Sequence, residues 1–425
     1  MKKIRYQAIG SRSKVFNRYS HPDPWFWVSG SINPYRGCEH NCVYCDGKAE
    51  WYHIENFGTH IRVKIDAALK YEKELLKFGF KPEYRRTKDT LEAFLPKSPE
   101  KTNIKPIYSP HFPIAVGGGV CDVYQPSEKK FKVTRQLLSK SCDFGIPIMV
   151  LTKSTLVLRD LDLLSEINNT NYANISFSIT LIDEKTKEIF EPSSTSSFQR
   201  FKALKTVRKN NLHGGVMFMP ILPGIGDTEE NIKQIVQKSK EAQAEFVLPS
   251  GLTLKPGRNK QEYLAVIQQY FPALMPLYRD LYGNDNKYGN PRPNCNLIIN
   301  ACKLGHEYCR KAGIPDRIPR YVPPGVPQKN FLISTILHNL AYYYQWVSEK
   351  HWRSVLPFTK AAQKIESLSV DISEIKRGVI KTSLKLPTKV YTVVSEVLDT
   401  GESSDLMEYQ DAESIIANKE KESAC

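Results

Sequence analysis

The 425-residue sequence has no run of about 18 apolar residues, which argues against a membrane-spanning helix. Its N-terminus, MKKIRYQAIGSRSK, is basic and lacks the apolar stretch of a signal peptide. Cysteine is scarce, with nine residues unevenly spread, so a secreted disulfide framework is excluded as the organising device. These three absences predict a cytoplasmic protein with no membrane partner. No internal repeat or low-complexity tract is visible. Acidic residues are also in short supply: 45 Asp and Glu face 60 Lys and Arg, for a formal charge of +15 and a pI near 9.2. Such an excess suits a polyanionic partner such as DNA or RNA, or simply a solvated lysine surface.

What is present is ordinary for a globular chain, 41% hydrophobic and 25% charged. There is room for one large α/β domain of about 250–300 residues and something smaller. Residues 1–27 read as a leader broken by Pro and Asp, with Trp25, Phe26 and Trp27 as anchors to a core. A helix is predicted near 61–78, then a polar surface excursion over 81–105. Short apolar runs at 112–117, 147–151, 174–179, 214–219 and 245–248 then alternate with helical patterns near 130–142, 159–168, 197–210 and 228–242. With a strand before the first cysteines, this makes six β/α units, hence a parallel sheet with helices outside. The expected fold is α/β, a partial (β/α)6 TIM-like barrel over 28–322. Residues 261–281, holding Pro272 and Pro276, predict a broken helix. The prolines of 319–327 mark a boundary before a C-terminal helical or α+β region, 323–425, with a strand at 389–398 and an acidic tail.

The most specific feature is PYRGCEHNCVYCDG, which places Cys38, Cys42 and Cys45 within eight residues. Three thiolates so close can surround one soft-metal site. Structural zinc wants a fourth ligand nearby. A [4Fe–4S] cubane held by three thiolates leaves one iron open to a cofactor or substrate. Cluster, zinc and unrelated thiols are the three readings of the spacing itself.

The C-x3-C-x2-C pattern with Tyr44 before the last cysteine resembles the signature of the radical S-adenosylmethionine superfamily. Further segments resemble its spore photoproduct lyase-like branch: DVYQPSEKKFKVTR, LTKS at 151–154, RDLDLL at 159–164, SFSIT…EP at 176–192, Arg200, and MPILPGIGD at 219–227. Together they run from about Asn33 to Arg320. The resemblance implies a [4Fe–4S] cluster on Cys38, Cys42 and Cys45. It implies S-adenosylmethionine as second cofactor, cleaved to a 5′-deoxyadenosyl radical that abstracts hydrogen from a substrate. An electron donor such as flavodoxin or ferredoxin is implied as partner.

Residue by residue, the resemblance places Tyr44 near the adenine and Gly117, Gly118 and Gly119 at the methionine amine. The glutamate that often follows those glycines is missing, and Asp122 is the nearest acidic candidate. Ser176 and Ser178 alternate on a strand and so face one way, toward the ribose in this reading. Lys153 and Arg200 would meet a carboxylate or form a buried pair with Glu191. Cys121 occupies the region of the lyase's hydrogen-donating cysteine, but it directly precedes Asp122, which is not the lyase's local pattern. Cys121 is therefore read either as a hydrogen donor or as a small buried cysteine.

Cys295, Cys302 and Cys309 recur every seven residues, the spacing of a helix stripe, with His306 between the last two. The basic residues Arg310, Lys311, Arg317, Arg320 and Lys329, with nearby aromatics, form a candidate phosphate surface. The expected function is a radical enzyme whose substrate is DNA or RNA, in lesion reversal or modification. The alternatives are a peptide or small metabolite as substrate, or a non-catalytic iron–sulfur protein.

Overall fold

The computed structural model describes residues 4–11, 14–82, 112–117, 120–292 and 296–410. Strands β1 (Arg5–Ile9) and β2 (Phe16–Arg18) open the chain, followed by β3 (Gly30–Ile32), β4 (Tyr35–Arg36) and β5 (His60–Lys64). β5 pairs with β1 in parallel and with β4 antiparallel, so a small sheet brackets the cysteine loop on both sides. The helix expected over 61–78 begins only at Ala67, as α1 (Ala67–Lys77). Ahead of it, Ile61 and Val63 alternate with less buried neighbours at period two, and pairing on both edges draws the segment into a strand. The excursion expected over 81–105 falls almost wholly outside the described residues.

The main sheet continues through β6 (Ile114–Val116), β7 (Ile148–Thr152), β8 (Ala173–Ser178), β9 (Val216–Ile221) and β10 (Val247–Gly251). Its order is β10-β9-β8-β7-β6-β3-β2, parallel throughout except for β2. The crossovers are α2 (Glu128–Phe131) and α3 (Val133–Asp143), α4 (Leu161–Thr170), α5 (Glu184–Phe190) and α6 (Ser197–Lys209), and α7 (Glu229–Glu241). Right-handed crossovers between strands taken in sequence order place every helix on the same face. Six parallel strands in sequence order with helices between them match the expected β/α repeat, and the sheet is open, with β10 and β2 at its edges.

Side-chain alternation then explains both faces. Ile114, Val116, Ile148, Val150, Ile175, Phe177, Val216 and Phe218 point into one core with Leu137, Leu164, Leu204 and Ile235 of the helices. The intervening positions Met149, Leu151, Met217 and Leu248 point the other way and meet Trp27, Val28 and Ile318. Trp27 is buried there and its indole N–H donates to the Ile318 carbonyl at 3.0 Å. The aromatic leader thus packs on the inner face of the sheet, and a cavity opens at the carboxyl ends of the strands.

After β10 come α8 (Arg258–Tyr270), α9 (Met275–Tyr282) and α10 (Asn296–Ala312), with the break at Pro272 where proline forbids continuation. The last helices are α11 (Gln328–Trp346), α12 (Trp352–Glu366), α13 (Arg377–Ser383), α14 (Thr388–Thr400) and α15 (Ser404–Gln410). They share a separate core of Ile336, Leu340, Phe358, Ile365, Val390, Val394 and Val397. The strand expected at 389–398 is part of α14. Its β-branched residues favour a strand locally, but Val390, Val393, Val394 and Val397 fall on one helical face, and burying that face decides.

The candidate phosphate surface is overturned at its centre. Arg317 is buried: its guanidinium lies 4.4 Å from the Tyr342 ring centroid and bonds the Pro24 carbonyl. Arg320 pairs with Glu366 at 2.7 Å over the Trp27 ring. Both arginines fasten the leader to α11 and α12. Tyr342, Tyr343 and Tyr344 are core residues as well. His306 pairs with Asp316 at 2.8 Å, and Tyr343 donates to the other Asp316 oxygen at 2.6 Å. Cys302 and Cys309 are buried beside them, while Cys295 lies outside the described residues.

Candidate functional site

The cysteine loop follows β4 and is fixed by backbone geometry first. Gly37 has φ +86°, and a Cβ there would sit 2.8 Å from the His60 carbonyl oxygen. Cys38 N–H donates to Phe57 O at 2.9 Å, and Val43 N–H to Phe190 O at 2.8 Å. Side chains of the DVYQPSE segment then clamp the loop. Gln125 accepts from Glu39 N at 2.9 Å and donates to Gly37 O at 3.2 Å. Glu39 in turn accepts from Ser127 N at 2.6 Å. Glu128 is fully buried, takes the Tyr35 hydroxyl, and is ion-paired with Arg159 at 2.8 Å. The motif's polar residues therefore hold the loop in place, and so does Arg159 of RDLDLL.

Cys38, Cys42 and Cys45 all line one cavity of about 400 Å³ at the carboxyl ends of the strands. Such a position is where β/α domains gather their ligands, and the size falls within the usual range of small-molecule pockets. Among the described residues no three His, Cys, Asp or Glu side chains converge tightly enough for a single metal ion. Burial pushes all three thiols up, Cys42 to about 12, and a bound cation would favour their thiolate forms. Three soft donors spread round a cavity fit a multinuclear cluster and do not fit mononuclear zinc.

Tyr44, Cys121, Asp122 and Ser178 line the same cavity, as does Lys153. Cys121 donates its thiol hydrogen to Asn33 Oδ1 at 2.9 Å, and burial pushes it up to about 12. It is therefore a thiol. The Asp122 carboxylate accepts from Thr152 Oγ1 at 2.8 Å, Tyr124 N at 2.8 Å and Lys153 N at 2.7 Å. His40 Nε2 lies 3.3 Å from it. Burial alone would raise Asp122, but His40 and the backbone donors outweigh it and hold it below the usual carboxylate range. Asp122 N–H points at Cys38 Sγ, 3.5 Å away, a donor that would stabilise a thiolate.

Behind Tyr44 sits a buried charged network. The Tyr44 hydroxyl and the Arg200 guanidinium both bond Glu191. Burial raises Glu191, yet Arg200 and Lys153 prevail and bring it down to about 2. Lys153 Nζ donates to Ser178 Oγ at 2.5 Å, stands 4.0 Å from Glu191, and lies over the Tyr44 ring. Arg200 has no exposure and does not line the cavity; it also bonds the carbonyls of Thr195 and Ser178. Ser176 is fully buried below the cavity and bonds Asn174 Oδ1 at 2.6 Å. Gly117, at φ +89°, forms the turn after β6 and donates to Ile32 O at 3.0 Å. Gly118 and Gly119 lie outside the described residues. Sequence reasoning missed Phe26, Asp46, Thr152, Met219 and the 250–253 segment as cavity walls. The signal that could have found the last of these was its place at the end of β10.

No family model matches the chain. An uncharacterized protein of Mycobacterium tuberculosis is 25% identical over 257 residues, covering 59% of this chain and 66% of that protein's length. Another, from Methanocaldococcus jannaschii, is 29% identical over 244 residues, covering 57% and 76%. Among solved structures, spore photoproduct lyase complexed with dinucleoside spore photoproduct matches at TM-score 0.47 and 15% identity, covering 72% of this chain and 79% of that one. A cobalamin-dependent S-adenosylmethionine radical enzyme matches at TM-score 0.35 and 12% identity, covering 89% and 57%. Likeness at these levels carries no substrate and no residue role with it.

Proposed function

We propose that the protein is a radical S-adenosylmethionine enzyme whose reaction runs in the cavity at the strand ends. The observation that carries this reading is the convergence of Cys38, Cys42 and Cys45 on one cavity with Tyr44, Cys121, Asp122 and Lys153. Cys38, Cys42 and Cys45 would hold a [4Fe–4S] cluster, which with bound S-adenosylmethionine supplies a 5′-deoxyadenosyl radical when an electron donor such as flavodoxin or ferredoxin reduces it. Lys153 is the lysine on the cavity wall and the residue suited to an anionic cofactor group. The flat Tyr44 face, locked by Glu191 and Arg200, offers an apolar wall for an adenine. Ser178 and Asp122 supply polar contacts on the cavity wall, and Gly117, Gly118 and Gly119 would serve the methionine amine. Ser176 and Arg200 act one layer back, by holding their neighbours. Cys121, a buried thiol hydrogen-bonded to Asn33, is the candidate hydrogen donor to a substrate radical.

The substrate class we infer is nucleic acid, in line with the charge of +15. The lyase structure that the chain resembles contains a dinucleoside photoproduct. An atom on a paired base would have to leave its stack to enter a cavity of about 400 Å³. A cytoplasmic setting would keep the thiols reduced. Anaerobic reconstitution tests the reading: about four irons per chain are expected, with release of 5′-deoxyadenosine on reduction. Cys42→Ala should lose both. A variant that still forms a normal cluster and releases the product would exclude these ligands.

A further inference from the structure

The C-terminal helices carry an exposed basic element that the cavity does not use. From Ile375 to Ser395 the chain holds Lys376, Arg377, Lys381, Lys385 and Lys389 and no acidic residue. Over this stretch the short helix α13 is joined to the longer α14 by a four-residue turn, 384–387. Lys385 in that turn has φ +50°, the left-handed conformation that redirects the chain sharply. Ile380, Leu386, Val390, Val394 and Val397 are buried in the C-terminal core and seat the helix pair on α11 and α12. These apolar positions face the core, while the opposite side, which includes Val379, faces solvent.

That side presents Lys376, Arg377, Thr382, Ser383, Lys385, Thr388, Lys389 and Thr392, all exposed. Among the described residues only Arg377 of the five cations is ion-paired, with Asp399 at 2.6 Å. Lys381 reaches Thr388 Oγ1 at 3.2 Å. A short helix, a tight turn and a second helix exposing small polar and basic residues on its first turns share the order of a helix-turn-helix, with Glu396 and the exposed Asp399 confined to the far end of α14. The second helix of such a unit fits the major groove of B-form DNA, while lysines on the turn and first helix meet phosphates. The deep, narrow major groove of A-form RNA excludes a helix.

We propose that the α13–turn–α14 unit is a docking surface for double-stranded DNA, with α14 in the major groove. This rests on the nucleic-acid part of the reading above and not on the radical chemistry. It replaces the Arg317–Arg320 surface, which is buried.

The full chain is titrated into a fluorescein-labelled 30-base-pair duplex, the matching single strand and a hairpin RNA, at two salt concentrations. Lys381→Glu/Lys385→Glu is compared with Lys205→Glu/Lys233→Glu, which makes the same charge change at exposed sites on α6 and α7. The first variant should weaken duplex binding about tenfold and lower the salt slope by about two, because two phosphate contacts are lost. The second should change affinity less than about twofold. Lys385→Gly keeps the left-handed turn without the charge, and its loss of about threefold guards against a folding artefact in the double variant. Unchanged duplex binding by both variants would overturn the proposal. So would equal losses in the two double variants, or tighter binding to the single strand or RNA than to the duplex. Loss of duplex binding with 5′-deoxyadenosine formation intact is the supporting pattern. Absence of that product at full duplex affinity would refute the radical reading alone.

Discussion

Two ion pairs contrast the two halves of the molecule. Arg200 and Glu191, beside the cavity, are 0% and 1% exposed at their side chains; Arg377 and Asp399, on the C-terminal helices, are 44% and 64% exposed. The first pair is enclosed by Tyr44, Ser194 and backbone carbonyls, so every charge is answered by several bonds. The second pair is answered mainly by water. The half around the cavity spends its charges on fixing a wall. The C-terminal helices pack on aliphatic and aromatic side chains and bury the Arg320–Glu366 pair, while the cations of α13 and α14 stay near the surface.

The sharpest way to break this comparison is to remove one member of each pair. Arg200→Met leaves the buried Glu191 carboxylate with Tyr44, Ser194 and the more distant Lys153 but without its guanidinium partner, and should lower stability by about 3–5 kcal/mol. Asp399→Asn should cost less than about 1 kcal/mol, since an exposed pair is weakened by solvent and salt. Urea denaturation of the two variants, followed by tryptophan fluorescence, checks the ratio. Equal effects would mean that the two halves do not differ as described. Loosening of Tyr44 is expected with Arg200→Met alone.

A second test addresses the seam between the halves. His338 on α11 packs against Trp27, and burial with the guanidinium groups of Arg320 and Arg317 brings its pKa down to about 3. His21 and the Arg320–Glu366 pair complete its charged surroundings. An unfolded histidine titrates near 6.5. Below that pH the unfolded chain binds a proton that the folded chain refuses, so stability falls as pH drops from neutral toward 3. At pH 5.5 the loss from this group should be about 1.4 kcal/mol relative to pH 7.5. His338→Gln should remove that increment, read as the difference between wild-type and variant unfolding free energies at the two pH values. An increment that survives the substitution would place the effect elsewhere.

The order of strands and helices around the cavity was legible because each unit repeats the same pattern of short apolar run and amphipathic helix. That Cys38, Cys42 and Cys45 come together on one cavity was legible because their loop is local in sequence. What escaped depended on distant partners. Arg317 and Arg320 look like a basic surface until Trp25, Tyr342 and Glu366 fold over them. Gln125 and Glu128 look like parts of a ligand motif until they are seen holding Gly37, Glu39 and Tyr35. At 389–398 the β-branched residues argue one way and their three-to-four spacing the other. Only the core formed with α11 and α12 chooses between them.

The smallest effect concerns Lys385, where fold and partner make opposite demands. A lysine at φ +50° carries a backbone cost of about 1 kcal/mol that glycine does not. Nothing among the described contacts repays it: the side chain is exposed, and Leu386, next to it, does the packing. Lys385→Gly should therefore raise the stability of the C-terminal helices by up to about 1 kcal/mol, reduced somewhat by the greater freedom of glycine in the unfolded chain. The same substitution is expected to weaken duplex binding. A gain in thermal midpoint together with a loss in DNA affinity would mark Lys385 as retained for its partner at the expense of the fold. A fall in thermal midpoint would show that the lysine stabilises the turn through a contact of its own, and an unchanged DNA affinity would show that its charge is not held in reserve for DNA.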